Sequence, residues 1–155
     1  MKTTIIALGD SLRGFDFDTI QGHRIVLNNG YKYVAHDINV WYDKPPKEAI
    51  SNKLETLKAY GGKWESKGRP LNREANNIVS SCNSSLVFAI NIALKLGYKE
   101  IDVYGADGYC GEYLHFYDDQ PTSEQGLYNR QFRVITKMLD SLVYLPDEKV
   151  NFISV

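Results

Sequence analysis

Apolar and polar positions fall in short blocks along this chain, and most blocks are bounded by glycine, asparagine or proline. Thr3 to Leu8 is an apolar, partly β-branched run closed by Gly9-Asp10-Ser11. A run of that length without polar alternation predicts a strand buried on both faces. Gly14 to Ile20 has room for one helical turn. Arg24 to Leu27 predicts a second strand, ending at the turn signal Asn28-Asn29-Gly30. Ile38 to Tyr42 predicts a third, leading to Asp43 and then Lys44-Pro45-Pro46. From Lys47 to Tyr60, Ile50, Leu54 and Leu57 mark one face; prolines precede and Gly61-Gly62 follows, so a helix is expected there. Trp64 to Asn76 has no period and reads as a loop, either a surface connection or a segment that covers a ligand.

The second half is more regular. Asn77 to Ser80 is a short strand candidate. Leu86 to Leu96 reads as a largely buried helix ending at Gly97, because its length and that glycine outweigh its β-branched content. Ile101 to Tyr104 predicts a strand closed by Gly105-Ala106-Asp107-Gly108. A last helix is expected from about Ser123 to Leu142, with Leu127, Val134, Ile135, Met138 and Leu142 on one side. A last strand is expected over Asn151 to Val155. Strands alternating with helices at crossover spacing predict a three-layer α/β domain. Residues 1–155 are read as one domain, with a mostly parallel sheet of about five or six strands covered by helices on both faces.

With 155 residues, 43% apolar and 24% charged, the chain has the composition of a folded protein and not of a disordered one. The net charge of -1 argues against non-specific binding to nucleic acid or to an anionic membrane. That average hides an asymmetry. Lys44 to Glu74 holds eight Lys/Arg and four Glu, a net of +4, whereas Ile101 to Glu124 holds six Asp/Glu and no base, a net of -6. Cys82 and Cys110 have neither metal spacing nor disulfide density. No apolar run reaches the length of a membrane span. A cytoplasmic location is expected, and a homo-oligomer is compatible with all of this.

Ligands of an open parallel sheet gather at the carboxyl ends of its strands, and four polar clusters fall there. Gly9-Asp10-Ser11-Leu12 offers a close backbone approach and a hydroxyl. Neither the dinucleotide fingerprint nor the Walker sequence is present. Asn28-Asn29 offers amides for a base or sugar, or simply two residues tolerant of left-handed turns. Asn83-Ser84-Ser85 precedes the most apolar helix, where side-chain donors and free N–H groups suit a phosphate or serve as a helix cap. Gly105-Ala106-Asp107-Gly108 is followed by His115 and by Asp118-Asp119. An imidazole titrates near neutrality, which makes His115 the best proton-transfer candidate. His23 and His36 read as ordinary loop histidines. No HExxH and no paired Cys/His set exists, so no zinc site is expected. Asp102, Asp107, Asp118 and Asp119 are carboxylates able to hold magnesium beside phosphates.

Three stretches together carry a resemblance: Ile5 to Leu12, Val26 to Asn29, and Ser84 through Asp107 with its Lys95-Leu96-Gly97-Tyr98-Lys99-Glu100 middle. They resemble the bacterial sialyltransferases of the Campylobacter lipooligosaccharide type and the related pterin-diphosphokinase-like α/β proteins of microbes and phages. The resemblance implies a Rossmann-like fold with a nucleotide held by Gly9 and Ser11, by Asn28, and by Ser84 and Ser85, with Asp10 and Asn83 beside them. The pattern departs from the sialyltransferases at Asp10, where that family tends to have Gly-Pro before Ser-Leu. It also departs at His115, whose surroundings match the aspartate-then-histidine order of the pterin-diphosphokinase-like relatives better.

On this basis the leading expectation is a glycosyltransferase-like protein using a nucleotide-activated, CMP-type sugar. In it, His115 and Asp107 are catalytic, while Asp43, Arg69 and Arg73 serve the acceptor or a lid, and no metal is needed. Two alternatives are a magnesium-dependent pyrophosphoryl transferase, which accounts better for Asp10, and a non-catalytic protein that binds a nucleotide-like small molecule.

Overall fold

The buried run Thr3 to Ile6 becomes an interior strand of a sheet, because no face along it is left for water. The computed structural model describes residues 1–41, 47–48, 55–60, 63–65, 85–107, 113–121 and 144–155. Within them lie β1 (Lys2–Ile6), β2 (Arg24–Leu27), β3 (Ile38–Val40), β4 (Glu55–Tyr60), β5 (Lys63–Glu65), α1 (Ser85–Lys95), β6 (Glu100–Tyr104) and β7 (Lys149–Ile153). The sheet order is β5-β4-β3-β2-β1-β6-β7. Every neighbouring pair is parallel except β4 with β5. The architecture is the expected α/β class with a mostly parallel sheet.

Strand alternation divides the core in two. Ile5, Ile25, Leu27, Ile38, Val40, Ile101 and Val103 face α1 and form one cluster with it. Ile6 and Val26 point to the other side and pack with Leu12, Ile20 and Val34. α1 is buried on every side from Val87 to Leu94, which is why its sequence shows a continuous apolar run and no stripe. Its one buried polar side chain, Asn91, donates to the Val87 carbonyl at 3.1 Å. Gly97 ends the helix as expected, with φ at +94°. Its N–H reaches Leu94 O at 3.1 Å while the Tyr98 N–H reaches Ala93 O at 3.1 Å.

Several expectations are corrected. The helix from Lys47 to Tyr60 is not what forms over its second half: Glu55–Tyr60 is β4, parallel to β3. β5 pairs with it so that Tyr60 stands opposite Lys63. The two residues between them are Gly61 and Gly62, a pair that in sequence is a hairpin signal as much as a helix stop. That placement also brings Trp64 into a strand and raises the strand number to seven among the described residues. Among the described residues, the face opposite α1 carries 3₁₀ turns at Asp10–Leu12, Phe17–Thr19 and Asn28–Lys32 and the rings of Phe15, Phe17 and Phe116. The third strand stops at Val40, short of Tyr42. The expected strand at Asn77–Ser80 and helix at Ser123–Leu142 lie outside the described residues.

Phe88 is fully buried between α1 and the sheet. Phe88→Ala is expected to lower the unfolding free energy by about 3–5 kcal/mol, measured by urea denaturation followed by circular dichroism.

Candidate functional site

The strand order makes β1 and β6 neighbours whose following loops part company. The chain leaves β1 toward β2 on one side and leaves β6 toward β7 on the other. In open α/β sheets the crevice at such a reversal is where ligands bind. Here the two loops stay joined beyond the strands themselves: the Ala7 N–H donates to Tyr104 O at 2.8 Å and the Gly9 N–H to Gly105 O at 3.0 Å.

That joining explains Gly9. A Cβ on it would lie 2.3 Å from Asp107 Oδ2 and 2.4 Å from Gly105 O, closer than atoms can approach. Gly105 itself has φ at +71°, a conformation that favours glycine. With both glycines in place, the Ser11 N–H donates to Asp107 Oδ2 at 2.7 Å and the Ser11 hydroxyl donates to Asp107 Oδ1. Ser11 and Asp107 line a cleft of about 290 Å³, closed on its other side by Phe152, Ile153, Ser154 and Val155. This is near the lower end of the range for small-molecule pockets.

On the β2 side, Asn28 adopts φ of +45°, which asparagine tolerates better than most residues. Buried Asn39 holds it there by donating to the carbonyls of Val26 at 3.1 Å and Asn28 at 3.0 Å. Ser85, the first residue of α1, donates its hydroxyl to Asn28 Oδ1 at 3.2 Å. The turn after β2 and the start of α1 are therefore tied together at the carboxyl edge.

Residues 113–121 cross over the end of β1, with the Phe116 N–H on Leu8 O at 2.9 Å. Arg13 fastens this segment. Its Nε meets Asp10 Oδ1 at 2.9 Å, one terminal nitrogen donates to His115 O at 3.2 Å and Asp118 O at 2.9 Å, and its guanidinium lies 4.0 Å from the centre of the Tyr113 ring. His115 has Nδ1 at 3.1 Å from Asp118 Oδ2 and stacks on Tyr117, ring centres 5.0 Å apart and planes 8° apart. Tyr117 stacks in turn on Tyr33 at 4.5 Å and 10°. Burial, with the charge of Asp118 and the neighbouring Tyr33 adding to it, pushes the Tyr117 phenol up to about 12.

The structure brings together Gly9, Ser11 and Asp107, and separately Asn28 and Ser85. His115 is not among the residues lining the cleft; its ring is occupied by Asp118 and Tyr117. Asp102 is corrected as a magnesium candidate, because it lies at mid-strand, where Lys2 Nζ stands 2.8 Å away and the Asn151 amide donates at 2.8 Å. Burial opposes its ionisation, but those two partners outweigh burial and hold the carboxyl below its ordinary range. Asp43, Asn83, Ser84, Arg69 and Arg73 lie outside the described residues. Sequence reading missed Arg13, Asn39, Tyr33 and Tyr117. The sequence holds 11 Tyr against 6 Phe and 2 Trp, and that tyrosine excess is the one signal for the last two.

Gly9→Ala forces Asp107 and Gly105 apart, and an over-packing cost of about 1–3 kcal/mol is expected, read as a lowered urea midpoint. Tyr117 also carries a pH signature. A phenol whose folded-state pKa is about 12, against an ordinary 10.0, adds stability that is complete below pH 10 and is lost as pH rises through about 12. Tyr117→Phe removes that dependence, so the variant's urea midpoint should fall less steeply than the wild type's across this window.

No family model matches the chain, and no curated protein matches it. Among solved structures it is similar to one described as a probable thiamine pyrophosphokinase from Staphylococcus saprophyticus subsp. saprophyticus, with a TM-score of 0.56 at 18% identity. The match covers 99% of this chain and 65% of that one, so the chain spans just under two-thirds of its structural neighbour. At this identity the likeness shows the α/β fold. Nothing in these comparisons supports the sialyltransferase side of the resemblance.

Proposed function

We propose that the chain is a magnesium-dependent pyrophosphoryl transferase acting from a nucleoside triphosphate on the hydroxyl of a small heterocyclic alcohol. The observation that carries this reading is Asp107, held at the β1–β6 crevice by the Ser11 N–H and hydroxyl and facing the cleft. Likeness of fold to a probable thiamine pyrophosphokinase supports it over glycosyl transfer.

Magnesium beside phosphates keeps several waters and takes only one or two protein carboxylates. Asp107, with Asp10 next to Ser11, fits that requirement. When bound, the ion draws charge from the phosphate oxygens and lowers their repulsion of the incoming hydroxyl.

The chain's own residues do the positioning. Ser11 fixes the direction of the Asp107 carboxylate, and Gly9 keeps the backbone close enough for that contact. Arg13 neutralises Asp10 and pins residues 113–121 across the strand ends. In the transfer, the acceptor oxygen bonds to the β-phosphorus and the bond from that phosphorus to the α,β-bridging oxygen breaks. Nucleoside monophosphate leaves and the hydroxyl proton passes to water. His115 acts here as a positioning residue, through Asp118 and Tyr117.

Isothermal titration with ATP, GTP, CTP and UTP tests the reading. At least one should bind only with magnesium present, and Asp107→Asn should weaken it by about tenfold or more with the thermal midpoint kept. Binding unchanged by EDTA, or no binding at millimolar concentration, would overturn it.

A further inference from the structure

Tyr33, Tyr117 and His115 form a ladder of near-parallel rings with Tyr117 in the middle. Two rungs are fixed, His115 by Asp118 and the middle one, Tyr117, by its two stacked neighbours. Tyr33 is held by the face of Tyr117 on one side and by the edge of Phe116, 5.9 Å away at 77°. Even so it is 53% exposed. A single exposed aromatic needs no explanation. A tyrosine whose ring orientation is already set by a ladder beneath it is a different object, because a ligand ring can add to it without paying to order the side chain.

Its position in the fold matters equally. Tyr33 directly follows the turn Asn28–Lys32 at the carboxyl end of β2, and Phe116, from the segment that carries Tyr117, is hydrogen-bonded to the end of β1. The open ring therefore stands on the same edge of the sheet as Ser11 and Asp107, on the opposite flank of β1. We propose that the outer face of Tyr33 is a stacking platform for a planar heteroaromatic ring. This deepens the pyrophosphoryl-transfer reading and rests on it for the source of the ring, which is either the base of the triphosphate or the heterocycle of the acceptor alcohol. A π-face accepts any such ring without reading its edge, so the platform supplies affinity and orientation and leaves base identity unspecified.

The test titrates wild type, Tyr33→Ala and Tyr33→Phe with four probes: adenosine, cytidine, a hydroxymethylpyrimidine, and inorganic tripolyphosphate with magnesium. Ring compounds should bind the alanine variant about 5- to 100-fold more weakly and the phenylalanine variant nearly as the wild type. Tripolyphosphate should bind all three alike. Weakening confined to the nucleosides assigns the platform to the donor base, and weakening confined to the pyrimidine assigns it to the acceptor. Cross-relaxation between ligand ring protons and Tyr33 in the wild type gives the same answer without relying on a variant that folds.

No ring binding by the wild type, or ring binding unchanged in Tyr33→Ala, overturns the platform. Magnesium-tripolyphosphate binding lost in Asp107→Asn, together with ring binding indifferent to Tyr33, overturns the platform alone. Ring binding that depends on Tyr33, with no magnesium-dependent phosphate binding, overturns the transfer reading and leaves the platform standing.

Discussion

The pair of hydrogen bonds from Ser11 to Asp107 is possible only because nothing occupies the space where a side chain on Gly9 would be. β1 and β6 are neighbours whose loops run in opposite directions, and that contact joins the loops through a side chain just beyond their backbone ladder. The ladder continues past the strand ends through Gly9 and Gly105, and the carboxylate is clamped over it. Arg13 extends the fixed region by tying the turn after β1 to residues 113–121. The rigidity of the carboxyl edge therefore descends from one backbone approach, and the aromatic ladder on the far flank of β1 hangs from the segment that Arg13 holds.

One strand carries two carboxylates with opposite fates. Asp102 sits midway along β6 with Lys2 and Asn151 as partners, its charge balanced inside the structure. Asp107 lies past the end of the same strand and receives a neutral N–H and a neutral O–H. Those donors orient a carboxylate without cancelling its charge. The first aspartate strengthens the pairing of β1, β6 and β7, and the second presents negative charge at a crevice. Sequence reading grouped them as equivalent candidates because both fall in the same acidic stretch.

What the sequence made legible was whatever depends on local pattern. The doubly buried run at Thr3–Leu8, the turn at Asn28, and the all-round apolar helix closed by Gly97 each have a signature a few residues long, and each lies where expected. β4 was misread because Ile50, Leu54 and Leu57 fit a helical face and Gly61-Gly62 fits both a helix stop and a hairpin. The strand pairing that decides between these readings is set by β3, which is distant in sequence. The site was half legible for the same reason. Gly9, Ser11 and Asp107 were each placed at strand ends. That Ser11 and Asp107, 96 positions apart, touch one another follows only from the order of the strands. Arg13 meets partners more than 100 positions away, and its one local pair, with Asp10, does not announce them.

That strand order bears on which ligand the edge suits. A phosphate placed near Ser11 meets two carboxylates, Asp10 and Asp107. Arg13 balances the first, while among the described residues no lysine or arginine pairs with the second. An anion beside an uncompensated carboxylate is repelled unless a cation stands between them. Glycosyl transfer that relies on helix-end N–H groups without a metal gives Asp107 no partner for its charge. Transfer of a pyrophosphoryl group supplies one, because the magnesium that accompanies a triphosphate brings the counter-charge with the substrate. Under the proposed transfer, the feature that first separated this chain from the sialyltransferase pattern, an aspartate beside Ser11, belongs with Asp107 in a single electrostatic requirement, one that a cation-bearing phosphate ligand meets.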